Sequence, residues 1–214
     1  ARVAESFNKT YGIVHPNEQY ESNRNVRMSP MYDREKALGA VFYETAGWER
    51  PFWYECNKDL VAKYGDKVMP REAEWESRWW SPIINAEHLQ MRETAGIVDL
   101  SSYTTIGVWG PNARAILQAI TKNDVSNEAF KFGTCKTIEI GSLRVLASRI
   151  SYVGDLGWEF YIPIEQGAKL WDALWESGKS HGLIPVGIGV YGTTGRLEKN
   201  YRAYGAELET EYNV

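Results

Sequence analysis

The segment Ser151 to Pro163, SYVGDLGWEFYIP, gathers more potential chemistry than any other stretch of the chain. If WEFYI is a strand, Trp158, Phe160 and Ile162 share one face, while Glu159 and Tyr161 share the other. A carboxylate set among such residues is costly unless it is paired or meets a polar ligand. Two readings stand side by side. In one, Glu159 is a rim residue in water or the structural partner of Arg149 or Arg196. In the other, it accepts two parallel N–H donors from a flat heterocycle that aromatic neighbours sandwich. Downstream, GRLEKNYRAYGAEL carries Arg196. That arginine suits the anionic tail of a ligand or an ion pair at the surface.

Other motifs carry less. Gly187, Gly189 and Gly192 spell G-x-G-x-x-G, but the dinucleotide fingerprint also needs a strand before it and an acid ending a second strand. Glu209 and Glu211 lie in a polar tail with no strand pattern, so the glycines read as points of close packing. His15, His88 and His181 have no second ligand at metal spacing, and no metal site is expected. Cys56 and Cys135 form no paired motif and suit a reducing compartment.

The elements that must hold these residues are partly legible. Residues 1–55 read as an extended, irregular wrap whose Tyr and Trp side chains pin it to another surface. After Pro70, PREAEWESRWW reads as a helix with a Glu74–Arg78 pair, and NAEHLQMRETAG as a second, with Asn85 as N-cap and Gly96 just past its end. IVDLSSY is a strand. GPNARAILQAITKND is a helix with Ala113, Ile116, Leu117 and Ile120 on one face. Gly141–Ser142 suits a two-residue turn between KTIEI and LRVLASRISY. SYV and WEFYIP read as a strand pair straddling GDLG. EQGAKLWDALWESG buries Leu170, Trp171, Leu174 and Trp175, and GRLEKNY is a short helix. This pattern predicts an α+β fold, an antiparallel sheet with flanking helices. The expected division is a wrap over 1–69 and an α+β domain over 70–214.

With 214 residues and a formal charge of −4, the chain can bury a sizeable core, and it lacks the basic face that a phosphate backbone requires. No apolar run approaches the roughly 18 residues of a membrane span. Neither nucleic acid nor membrane is an expected partner, and a soluble, cytoplasmic protein is the expectation. Nine Trp and thirteen Tyr must be buried or stacked on something.

Several segments together are similar to a known family. MRETAGIVDLS, GPNARAILQAIT, NEAFKFGT, SYVGDLGWEFYIP and RLEKNYRAYGAEL resemble, in order, the folate-binding fold of the glycine-cleavage T-protein (aminomethyltransferase) family. ALGAVFYETAGWERPFWY looks like the segment that joins the flavin and folate domains of dimethylglycine and sarcosine dehydrogenases. The resemblance implies a tetrahydrofolate-binding module of a one-carbon transfer enzyme, with the mitochondrial matrix as its place in a eukaryote. Glu159 and Tyr152 match the family's pterin-binding Y-x-G-E-x-G-x-E stretch, with Asp155 in place of the first Glu, and Arg196 matches an arginine near the folate. The implied cofactor is tetrahydrofolate, with FAD only on a separate flavin domain. The implied partners are the folate and a flavin-containing dehydrogenase domain or subunit. The resemblance also implies that this is the discontinuous first domain of the fold. A second domain carrying a catalytic aspartate is missing between Leu100 and Ser101, and a C-terminal barrel and the flavin domain are absent. The alternative is a scaffold that keeps the fold without its chemistry.

Overall fold

Alternating apolar residues put one six-stranded sheet at the centre of the protein, in a computed structural model that describes residues 1–73, 78–101 and 105–208. Its strands are β3 (Ala95–Asp99), β4 (Thr105–Trp109), β5 (Cys135–Ile140), β6 (Leu143–Ser148), β7 (Gly157–Tyr161) and β8 (Leu183–Pro185). They lie in the order β5-β6-β7-β4-β3-β8. All neighbours are antiparallel except β8, which runs parallel to β3 with Ala95 opposite Leu183. The α+β expectation holds. The parallel edge was not expected, because three residues ending in Pro185 give no periodic signal.

Gly141, at φ +58, turns β5 into β6 as the sequence suggests. The SYV half of the expected strand pair is not a strand; β7 pairs instead with β6 and β4. Residues 151–156 form a loop, and Gly154 at φ +83 leaves room for the Lys199 side chain.

Two faces of the sheet bury two cores. On one, Ile97, Ile106, Val108, Trp158 and Phe160 meet α5 (Ala113–Ile120) and α6 (Ile164–Gly178) through Ile116, Leu117, Leu170, Trp171 and Leu174. These are the inner faces that the helical spacing predicts. On the other, Val98, Leu100 and Trp109 pack against α4 (Ile83–Glu93) and Trp53. Helix α4 starts after Pro82 rather than at Asn85. Gly96 belongs to β3, where a Cβ would press on Met91 and Val186. The helix expected around Glu74 falls on residues outside those described.

The first 69 residues hold more regular structure than their sequence suggests. They contain α1 (Arg2–Tyr11), α2 (Tyr32–Ala37), α3 (Asp59–Tyr64) and a hairpin of β1 (Ala40–Thr45) and β2 (Trp48–Tyr54). The hairpin turns at Ala46 and Gly47, both at positive φ (+53 and +84). Alanine is an unusual residue for such a turn, and Pro51 reads as a strand breaker, so the pattern is masked. Pro51 is tolerated beside a register shift between Val41 and Phe42. The aromatic anchoring is real: Trp53 is 4 % exposed and Tyr54 fully buried.

Helix α1 is turned the unusual way round. Its polar residues face inward: Arg2 pairs with Glu44 (3.0 Å), and Glu5 accepts from the Ser22 backbone N–H (2.9 Å). Its apolar stripe, Val3, Phe7 and Tyr11, is 84, 64 and 79 % exposed.

Candidate functional site

The second face of β4 and β7 lines a cavity of about 440 Å³. Glu159 and Tyr161 come from β7, Thr105 from the start of β4 and Leu100 from just after β3. Ile188 and Tyr191 come from the segment after β8, and Arg50 reaches in from β2. The size and the mostly apolar lining with a few polar groups are those of a small-molecule site.

Alternation along β7 places Glu159 here, since Trp158 and Phe160 occupy the opposite core. Glu159 sits across from Gly107 on β4 and Ser148 on β6. A Cβ at Gly107 would collide with the Trp109 indole, which lies over it. Glu159 is only 6 % exposed, and among the described residues the donors that reach it are hydroxyls. Tyr161 Oη donates to Oε2 at 2.9 Å, and Tyr191 Oη to Oε1 at 3.2 Å. Each carboxylate oxygen has two acceptor directions, so one on each oxygen is left over.

The arginines weighed as partners for Glu159 are engaged elsewhere. Arg149 donates to Asn127 Oδ1 (2.7 Å) and to the Phe130 carbonyl. Arg196 is 6 % exposed and does not line the cavity. Its guanidinium donates to the Gly192 (2.6 Å) and Tyr201 (2.9 Å) carbonyls and pairs with Glu207 at 3.0 Å. Its contacts therefore stabilise the chain's closing segment. A helical position two residues before Glu198 gives no hint of a partner eleven residues on.

Tyr152 stands one ring behind the cavity wall. It packs on Tyr191 (centroids 5.1 Å) and stacks on Tyr201 (6.1 Å, 13° between planes), and its hydroxyl donates to the Arg202 carbonyl at 2.6 Å. The three residues singled out from the sequence are joined by a succession of contacts, Arg196–Tyr201–Tyr152–Tyr191–Glu159. Asp155 pairs with Arg92 at 2.7 Å. Of the three close glycines, Gly187 and Gly189 do allow tight packing against Phe52, while Gly192 faces open space.

Sequence reasoning missed three buried acids nearby. Glu87 on α4 accepts from the backbone N–H of Tyr54 (2.8 Å) and Gly187 (2.9 Å) and from Asn57 Nδ2 (2.9 Å). Burial nevertheless pushes its pKa up to about 8. Glu35 and Asp99 are buried against one another, and burial raises both above the usual carboxylate range. Tyr54 Oη donates to Glu35 at 3.2 Å. The lone acid in the apolar run AGIVDL was the one available signal. Glu35, inside YDREKA, reads as a surface charge.

The chain is thus an α+β domain with a carboxylate-walled cavity on one sheet face. Residues 31–106 and 101–214 match the family described as the GCVT N-terminal domain, so the chain belongs to that family. Residues 1–29 match the FAD dependent oxidoreductase central domain. Human mitochondrial dimethylglycine dehydrogenase is 40 % identical over 108 residues, covering 50 % of this chain and 12 % of that protein. An aminomethyltransferase of Halothermothrix orenii is 34 % identical over 118 residues, 55 % of this chain and 32 % of that protein. A formaldehyde-forming 4-methylaminobutanoate oxidase of Paenarthrobacter nicotinovorans is 26 % identical over 289 residues, covering 97 % of this chain and 35 % of that protein. The chain spans 12–14 % of the dimethylglycine and sarcosine dehydrogenases it matches. A solved structure of the glycine cleavage aminomethyltransferase T of Bartonella henselae is similar over 84 % of this chain and 64 % of its own, with 17 % identity and a TM-score of 0.46.

Proposed function

We propose that the chain is a tetrahydrofolate-binding module of a one-carbon transfer enzyme of the dimethylglycine or sarcosine dehydrogenase kind. The observation that supports this most directly is Glu159, a buried carboxylate on a cavity wall with one acceptor direction left on each oxygen. The 2-amino-4-oxo edge of a pterin presents two parallel N–H donors to such a group. Tyr191 and Ile188 supply flat and apolar wall for the ring. Tyr152 backs Tyr191, and Arg196 secures the segment that carries Tyr201.

Residues 70–214 then make up the folate-type domain, over which residues 1–69 wrap. The family match in two pieces that meet at 101–106 suits the reading that a domain present in relatives is missing between Leu100 and Ser101. Across that joint, β3 pairs directly with β4, and the Leu100 N–H donates to the Thr105 carbonyl at 2.9 Å. Without the aspartate of that domain, the chain alone should bind folate but show no measurable methylene transfer, since a positioned acid or base is typically worth 10²–10⁴-fold. The partner is a flavin-bearing dehydrogenase domain. The outward apolar stripe of α1, in the stretch that matches the FAD dependent oxidoreductase central domain, suits contact with it. A cytoplasmic or mitochondrial-matrix setting suits this chemistry, and no helix among the described residues is long and apolar enough to cross a membrane. Titration calorimetry with tetrahydrofolate tests the proposal: binding by the parent and loss in Glu159→Gln support it, and no binding by the parent overturns it.

A further inference from the structure

The proposal above leaves the two tyrosine hydroxyls on Glu159 without a role. They arrive from different elements. Tyr161 lies two residues further along β7, on the same face as Glu159, while Tyr191 belongs to a π-helical turn, Val190–Gly195. Turns with i→i+5 bonding are rare and tend to occur at functional sites. This one is braced: Gly195 and Val190 are buried, and Thr193 Oγ1 donates back to the Gly189 carbonyl. The Tyr191 ring is held from two sides, by Trp109 (centroids 5.3 Å) and by Tyr152 (5.1 Å). Trp109 is itself tied to the Ile150 carbonyl through its indole N–H at 3.2 Å. These two ring contacts hold the Tyr191 hydroxyl on Oε1, and the Tyr161 hydroxyl sits on Oε2. Burial and the neighbouring Glu159 charge raise both hydroxyls, Tyr161 to about 12. Both therefore remain donors at neutral pH.

We infer that Tyr191 and Tyr161 are positioning residues that fix the plane of the Glu159 carboxylate, and so make the site select ligands with two parallel N–H donors over those with one. This inference rests on the reading that Glu159 faces the ligand. A carboxylate free to rotate could still meet a single donor well, but would meet a fixed pair only in a fraction of its orientations. The tyrosines thus act on selectivity rather than on binding in general.

The experiment compares tetrahydrofolate with its 2-deamino-2-methyl analogue, which keeps the ring shape and lacks one donor. Both are titrated into the parent chain, Tyr191→Phe, Tyr161→Phe and the double variant, alongside thermal unfolding. The parent should prefer tetrahydrofolate by roughly tenfold or more, since one hydrogen bond to a charged group is worth about 1.5–3 kcal/mol. Each single Phe variant should lower that preference several-fold, and the double variant should nearly abolish it. Phenylalanine keeps the ring packing, so unfolding temperatures should stay close to the parent's. Equal loss of affinity for both ligands would mean that the hydroxyls support binding in general rather than selectivity, and would overturn the inference while leaving the folate reading intact. A parent that binds tetrahydrofolate without preferring it would overturn the inference and the role of Glu159 together. A parent that binds neither compound would overturn the folate reading itself.

Discussion

Two groups of carboxylates are withdrawn from water in this protein, and they have been given opposite surroundings. Glu159 borders a cavity, is met by two hydroxyls, and retains acceptor capacity. Glu87, on α4, is sealed off, and three N–H groups from two chain segments, Tyr54 with Asn57 and Gly187, converge on it. A carboxylate that meets three N–H donors and has no opening holds a fold together. One that is half supplied and open to a cavity has capacity left for something else. The contrast shows that burial alone does not mark a functional acid; spare acceptor capacity beside a cavity does.

That contrast can be broken most forcefully at Glu87. Its replacement by Ala strands the Tyr54, Asn57 and Gly187 donors in the interior, each at a cost of about 1–3 kcal/mol. The expected loss of stability in denaturant unfolding is about 3–5 kcal/mol, near the upper end for a point change. A loss under about 1 kcal/mol would show that water reaches these groups and that Glu87 is not sealed. Glu159→Gln should behave in the reverse sense. It turns one acceptor into a donor facing a ligand donor, so tetrahydrofolate affinity should fall by roughly 2–4 kcal/mol with stability within about 1 kcal/mol of the parent. A stability loss with unchanged affinity would make Glu159 structural as well.

The pH dependence sharpens the comparison. Burial raises Glu87 from the ordinary 4.5 of a glutamate to about 8, so the folded state keeps a proton that the unfolded chain releases. Its stabilising contribution is complete below about pH 4.5 and is lost as pH rises towards 8. Glu35 and Asp99 push in the same direction. Unfolding temperatures measured from pH 5 to 8.5 should fall as pH rises, and Glu87→Gln should flatten that slope relative to the parent. An unchanged slope would place the proton elsewhere. The smallest effect belongs to an exposed pair. Arg34 and Asp172 join α2 to α6 with side chains 39 and 54 % exposed, and Asp172→Asn should cost less than about 1 kcal/mol.

Period and alternation made the frame legible. Leu170, Trp171 and Leu174 declared the inner face of α6, and Trp158 and Phe160 declared which side of β7 Glu159 must occupy. Local turn chemistry worked where it was conventional, at Gly141, and failed at Ala46–Gly47, where an alanine takes a positive φ. What stayed hidden has one cause. Glu87 meets backbone 33 and 100 residues away, and the Arg196–Glu207 and Arg92–Asp155 pairs are likewise set by where chain segments cross. No window of neighbouring residues contains that information. The resemblance to the T-protein family drew attention to Tyr152, which packs on Tyr191 of the cavity wall, and to Arg196, which pairs with Glu207.

The Glu87 junction also constrains the order in which the chain can assemble. Its carboxyl cannot leave water at low cost until Tyr54, Asn57 and Gly187 are all in place, and the last of these follows β8 by two residues. During synthesis the β1–β2 hairpin therefore waits, incompletely locked, until the chain past Gly187 has left the ribosome. Contacts separated by so much sequence are slow to form, because loop closure is paid before they stabilise anything. Docking of the hairpin on α4 should accordingly be a late folding event, with Trp53 reaching its final burial only after the sheet behind it has closed.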